Sequence, residues 1–230
     1  KTLIIFQFAI SAFLIVATFI IQNQLHYIQT KDLGYNKDHI IVLPLDQKTT
    51  GILNTIKTEF KTNPDVLSLT KANNEPINIV SGYSMSRADQ VGKGGISVNA
   101  NVVDEDFIKT IGATIIAGTD FTEQDSKDVL EPTEQDKKKY HYILNESAAK
   151  ALGWTPEEAI GKKMFLGEQR PGIVKAVVKD FNFSSFHDPI KPLVLFNEPW
   201  GGSLLVKLSG KHLPQTLAFL ESKWKQLIQH

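Results

Sequence analysis

LIIFQFAISAFLIVATFII, Leu3 to Ile21, is a run of 19 residues without a charge, and everything else in the chain is read outward from it. As an α-helix at 1.5 Å per residue it spans roughly 28 Å, close to the thickness of a bilayer's hydrocarbon core. The apolar part of a secretion signal is shorter, about 7 to 15 residues, and small residues should follow it at a cleavage site. Here Gln22, Asn23 and Gln24 follow instead. A core helix this apolar on all sides would be out of place in a domain of this size. The run therefore predicts one membrane-spanning helix.

Lys1 abuts the run and no initiator Met precedes it, so the natural polypeptide is expected to extend upstream. By the positive-inside rule Lys1 places the N-terminal side in the cytoplasm and the remainder of the chain outside it. Gln7, Ser11 and Thr18 lie within the span and are expected to face other membrane helices, because amides and hydroxyls need hydrogen-bond partners in lipid. Past Ile21 the helical pattern continues through QNQLHYIQTK, with Leu25 and Ile28 on one face and Tyr27 at interface level. Residues 1–33 are thus predicted as a transmembrane and stalk helix.

The composition narrows what the head beyond it does. Of 230 residues, 25 are Lys or Arg and 25 are Asp or Glu, so the net charge is zero and there is no long basic stripe to neutralise a phosphate backbone. Nucleic acid is excluded as a natural partner. The chain has no cysteine, which removes disulfides, Cys-based metal sites and thiol nucleophiles together.

Ile40 to Leu43 is a β-branched run ended by Pro44, read as a buried strand. TTGILNTIKTEFKTNP carries Ile52, Ile56 and Phe60 at helical spacing, and Val66 to Thr70 resumes extended alternation. This strand, helix, strand unit is predicted as a right-handed crossover joining two parallel strands. Residues 73–95 read as a loop or irregular strand pair, and Ser97 to Val103 as a strand. Asp104-Glu105-Asp106 then caps a short helix, and Ala113 to Ala117 is a further apolar run. Thr122 to Lys139, ending in three lysines, reads as a solvated loop rather than a site for an anionic partner, because acids upstream offset the lysines.

Tyr142 to Leu144 is a strand, and Asn145 an N-cap for ESAAKALG, which Gly153 closes. Ile173 to Val178, Leu193 to Phe196 and Leu204 to Leu208 are strands. The last helix, LPQTLAFLESKWKQLIQ, sets Leu213, Leu217, Leu220, Trp224, Leu227 and Ile228 along one face. The fold class is α+β.

No catalytic, cofactor-binding or metal-binding residue is assigned. Gly161-Lys162-Lys163 lacks the upstream glycine and the hydroxyl of a phosphate-binding loop. The six histidines (His26, His39, His141, His187, His212, His230) never fall at i, i+4 spacing for zinc. Asp180, Ser184, Ser185, His187 and Asp188 contain the residue types of a triad but no Gly-x-Ser-x-Gly elbow. Phe181, Phe183 and Phe186 between them read as anchors pinning a turn to the core. Asn145-Glu146-Ser147 and Asn182-Phe183-Ser184 fit the short glycosylation pattern, the first better explained as a cap.

Several ordered blocks carry a resemblance. Phe6-Gln7-Phe8 in the span, the Lys31-Asp32-Leu33-Gly34-Tyr35 exit, DEDFIKTIGATIIAGTDF, NESAAKALGW with EEAIGKKM, and GIVKAVVKDFNFSSFHDPIKPLVLF cover nearly the whole chain. Together they resemble the start of the second half of MacB/FtsX-type ABC transporter permeases, with their MacB-like periplasmic core domain. The chain departs from that pattern at Thr119, where arginine is frequent, and in a longer 122–139 segment.

The resemblance implies a two-lobed periplasmic head: a porter-like lobe from 38–72 plus 191–230, and an inserted second lobe from 73–190. It implies a non-enzymatic permease subunit in the bacterial inner membrane, working with a cytoplasmic ABC ATPase and with a second permease subunit or the other half of the same permease. A periplasmic or outer-membrane partner is also implied. The alternatives are the ectodomain of a membrane-bound sensor, which needs a second span and a signalling domain, and a membrane-anchored periplasmic enzyme.

Overall fold

The computed structural model describes residues 2–30, 34–36, 38–80, 82–90, 92, 94–132, 134, 137–184 and 189–228. It divides into two units, Lys1–Leu33 and Gly34–His230. The first is helix α1, Thr2–Thr30. Its segment Thr2–His26 is long and apolar enough to cross a membrane, and none of the residues of its most apolar stretch is buried. A helix that shows Leu3, Phe6, Phe8, Phe13, Phe19 and Ile21 all round must find an apolar medium outside the chain itself. The Thr18 hydroxyl donates to the Leu14 carbonyl at 2.7 Å, so this hydroxyl is satisfied by its own helix and needs no neighbouring one.

The second unit is built on two sheets. The first has three strands in the order β1 (Ile40–Pro44), β10 (Ser203–Leu208), β2 (Val66–Ala72). Both contacts are antiparallel. The predicted connection does join two strands that run in the same direction in one sheet, but they are not neighbours, because β10 lies between them. Nor is β1 a buried strand. It forms the edge, with Val42 36% exposed, and Pro44 sits where an edge tolerates a residue without an N–H.

The predicted helix between them is two, α2 (Gln47–Gly51) and α3 (Leu53–Lys61). Asp46 caps α2, accepting from the Thr49 N–H at 2.8 Å. Helix α8 (Leu213–Ile228) packs on α3, with the Phe60 and Trp224 rings 6.4 Å apart. Ile56, Phe60, Leu69, Leu204, Val206 and Leu220 form the core under these helices. Leu217, expected on the same face, is 44% exposed, while Phe219 packs on this core and Thr216 is buried.

The other sheet has the order β5 (Ile115–Gly118), β8 (Pro171–Val178), β6 (Tyr140–Asn145), β9 (Leu193–Phe196), β4 (Ile96–Val102), β3 (Gly82–Arg87), β7 (Lys163–Leu166). Strand β7 also pairs with the first half of β8, through Lys163 to Ile173, Met164 to Gly172 and Phe165 to Pro171. Six strands therefore close into a ring, and β5 continues the sheet from the second half of β8. Met85, Val98, Ala100, Tyr140, Tyr142, Met164, Leu166, Val194 and Phe196 belong to its core. The segment expected as a loop or irregular strand pair supplies β3, and β9, within the 191–230 part of the predicted porter-like lobe, lies in the ring between β6 and β4. Pairing on both edges hides a strand of four apolar residues better than the three-stranded sheet could.

Against the ring lie α5 (Glu123–Leu130), α6 (Glu146–Ala151) and α7 (Pro156–Ala159), whereas α4 (Phe107–Ile111) packs on β2 and β10 of the three-stranded sheet. The segment read as a solvated loop is thus partly helix: Thr122 and Asp125 form a capping box at the start of α5, and Val129 is buried. Asn145 caps α6 as expected, accepting from the Ala148 N–H at 2.9 Å.

Two glycines of the quoted blocks have steric causes. Gly34 has φ of 77°, and a Cβ there would stand 2.9 Å from the Asp180 carbonyl oxygen. This lets Tyr35 meet Phe181 edge to face, with ring centres 5.9 Å apart. Gly118 has φ of 79° and leaves no room against the Lys175 carbonyl.

Candidate functional site: the polar junction between the sheets

The two sheets meet where the chain passes between them. Asn73, just after β2, donates its N–H to the Val102 carbonyl at the end of β4, and Asp104 N–H donates to the Lys71 carbonyl. Ala72 and Val103 form an isolated bridge. The return passage from β9 to β10 runs through the same place: Asn197 Nδ2 donates to the Val103 carbonyl at 2.9 Å, and Gly202 N–H to that of Ala72 at 3.1 Å.

Asp104 is the centre of this junction. Its Oδ2 accepts from Lys57 Nζ of α3 at 2.5 Å and from the Lys71 N–H of β2 at 2.7 Å. Its Oδ1 accepts from the Thr70 hydroxyl and, at 3.2 Å, from the Asp106 N–H that opens α4. The predicted capping role of Asp104-Glu105-Asp106 is therefore partial, because Asp104 spends its lone pairs mainly on the three-stranded sheet and its helix.

Lys71 and Glu198 extend the network. The Lys71 ammonium donates to the carbonyls of Glu198 and Pro199 at 2.7 and 3.2 Å. Burial pushes Lys71 below the ordinary lysine range, with Asp104 pulling the other way. The Glu198 carboxylate, 5% exposed, accepts from the Tyr140 hydroxyl at 2.8 Å and Arg170 Nε at 3.0 Å, with Lys138 Nζ at 3.4 Å. The Arg170 guanidinium also stands 5.9 Å from the Tyr83 ring centre and 5.8 Å from that of Phe196. A charge-assisted network with its members paired holds two bodies in one relative position, since breaking one pair strands the other charge out of water.

Of the residue types of a triad, Asp180 and Ser184 fall among the described residues. The Asp180 carboxylate accepts from the Ser147 N–H at 3.0 Å and the Ser147 hydroxyl at 2.6 Å, which fixes the first turn of α6. Phe181 and Phe183 are buried, as expected of anchors. Ser185, Phe186, His187 and Asp188 lie outside the described residues. Among the described residues no three His, Asp or Glu side chains are grouped to hold a metal ion. A second buried group, Asp125 with Lys175 and with His141 Nδ1 at 3.2 Å, ties α5 to β8 and β6. Sequence reasoning missed the junction. Its one visible trace was a run of three acids directly after a strand, which looks the same when solvated.

No family model matches the sequence, and no curated protein matches it. Solved structures do. The periplasmic region of MacB from Actinobacillus actinomycetemcomitans is 18% identical with a TM-score of 0.55, over 84% of this chain and 86% of that one. A domain assigned to a permease protein from Porphyromonas gingivalis is 17% identical with a TM-score of 0.53, over 82% and 83%. The extracellular domain of the noncanonic ABC-type transporter YknZ from Gram-positive bacteria is 13% identical with a TM-score of 0.48, over 77% and 86%. At these identities the likeness is one of fold. The chain joins a helix of membrane-crossing length and composition to a head that has the fold of the MacB periplasmic region.

Proposed function

We propose that this chain is the membrane helix and periplasmic domain of an ABC transporter permease subunit, seated in a bacterial inner membrane. In this reading it performs no catalysis. It passes movement driven by a separate cytoplasmic ATPase to the periplasm, for export or for activation of a partner there. Its partners are that ATPase, a second permease subunit or the other half of the same permease, and a periplasmic or outer-membrane protein. The three-stranded sheet with α3 and α8 serves as the porter-like lobe and the closed ring as the inserted lobe, with the Asp104 junction as the joint between them.

The observation that carries this reading is the combination within one chain of an all-round apolar helix and a head with the MacB periplasmic fold. The paired charges of the junction support the mechanical part, since a joint that transmits displacement must resist shear.

Two measurements test it. Alkaline phosphatase fused after His230 should be active in a bacterial host, and an inactive fusion would put the head in the cytoplasm and end the reading. The full-length protein purified from its own membranes should bring with it an ATPase subunit bearing a nucleotide-binding loop. Recovery of a covalently attached kinase domain instead would make it a sensor.

A further inference from the structure

A cavity of about 560 Å3 opens on the ring at β6, β7 and β8. Its walls are set by strand register. Ile173 of β8 has Lys163 of β7 on one side and His141 of β6 on the other. Pro171 has Phe165 of β7 beside it. Directly paired residues share a face of the sheet, so this face carries an apolar strip, Phe165, Pro171 and Ile173, between cationic side chains. Ile173 is 38% exposed, unusual for an isoleucine at the middle of a strand paired on both sides.

The charge around this strip is one-sided. Among the described residues Lys138, Lys139 and Lys163 line the cavity and no carboxylate does, in a chain whose charges balance as a whole. Lys138 is engaged by Glu198. His141 faces Asp125 from α5, where Lys175 also stands. Lys139 and Lys163 are both exposed, and neither makes an ion pair among the described residues. An apolar floor flanked by uncommitted ammonium groups suits a ligand with a hydrocarbon body and one anionic end, and the volume lies in the ordinary range for ligand sites. A peptide added as an extra strand is not accommodated, because β7 is paired on both sides, with β3 and β8, and β8 is paired on both sides there.

We propose that this cavity binds a single-chain anionic amphiphile, with the acyl chain along Phe165, Pro171 and Ile173 and the head group between Lys139 and Lys163. The site does not depend on the permease reading, and a chain that proved to be a sensor would still carry it.

The test uses the full chain in nanodiscs of zwitterionic phosphatidylcholine, so that the bilayer adds no charge of its own. The probe is dodecanoate carrying a diazirine on its alkyl chain, irradiated and located by mass spectrometry of the digested protein. Label is expected in the peptides containing Phe165 and Ile173. It should fall at least about tenfold in the Lys139→Gln, Lys163→Gln double variant, the loss of charge-assisted contacts, and fall likewise when Ile173→Glu fills the floor with a charge. The neutral dodecanol analogue should not label these peptides. Equal labelling by acid and alcohol, labelling indifferent to the lysines, or no label in these peptides from a parent chain with an unchanged melting temperature would overturn the proposal. Both lysines are exposed, so their replacement leaves the fold intact, and circular dichroism verifies that each variant is folded.

Discussion

Lys57 Nζ, on the helix that covers the three-stranded sheet, stands 2.5 Å from Asp104 Oδ2, which lies just past the last residue of a strand of the closed ring. Both side chains are largely buried, at 15% and 11% exposure. The pair works beside backbone hydrogen bonds at the ends of β2 and β4 and beside the side-chain contacts of Thr70, Lys71 and Asn197.

Asp104→Asn should accordingly destabilise the protein by about 3 kcal/mol, because it leaves the Lys57 ammonium short of a countercharge and misplaces a donor toward Thr70 or Lys71. Lys57→Met, measured alone and together with Asp104→Asn by urea unfolding, should reveal a coupling of about 1 kcal/mol or more. Additive effects would mean that the two residues act separately and that the junction is not held by their charges.

Two leucines of α8 should behave oppositely despite sharing a helix. Leu220 is 3% exposed within the core on α3, so Leu220→Ala should cost about 2 to 5 kcal/mol. Leu217 is 44% exposed, and Leu217→Ala should stay within about 0.5 kcal/mol. Thermal unfolding of the two variants distinguishes this arrangement from one in which α8 turns Leu217 inward.

Asp125 gives acid sensitivity a sign. Burial pushes its carboxyl up, but hydrogen bonds from Lys175 and Thr122 outweigh burial and hold it below the ordinary value of 3.8. A group with a lowered folded-state pKa stabilises the fold above its unfolded value and loses that contribution as the pH falls through the folded one. Asp125→Asn should therefore be about 1 to 3 kcal/mol less stable than the parent at neutral pH, and the gap should narrow once the pH drops below about 4. A gap that stays constant down to pH 2 would show that the lost stability is that of the α5 cap and not of the charge.

If the chain transmits movement as proposed, that movement reaches the head through the chain after α1, which is helical to Thr30. A Gly/Ser segment inserted between Thr30 and Lys31 of the full-length protein adds a random coil directly after this helix. Insertion in the membrane and ATPase activity of the assembled complex should persist while transport or partner activation is lost. A variant that retains full activity would reduce the helix to an anchor.

Much of the local structure was legible because its causes are local. Asn145 was readable as a cap because its side-chain oxygen acts on an N–H three residues on, and Ile173 to Val178 as a strand because it is apolar and rich in β-branched residues apart from Lys175. Strand β7 (KMFL) escaped notice and β3 (GYSMSR) was legible only as a loop or irregular strand pair, because both are short and their pairing with each other comes only with the ring. Strand neighbours were equally hidden. Alternation tells which face of β1 or β9 is buried, not that β10 enters between β1 and β2 or that β9 joins the ring.

The amino-acid order by itself determined the apolar helix, the α+β class and the absence of any cysteine chemistry, since each follows from residues adjacent in the chain or from their count. Only the tertiary structure decided that Asp104 is a buried joint and not a solvated cap, and that Lys139 and Lys163 flank one apolar strip. Lys57, Thr70 and Lys71 approach Asp104 from 47, 34 and 33 residues away, and a charge's role is set by what burial and long-range pairing bring to it.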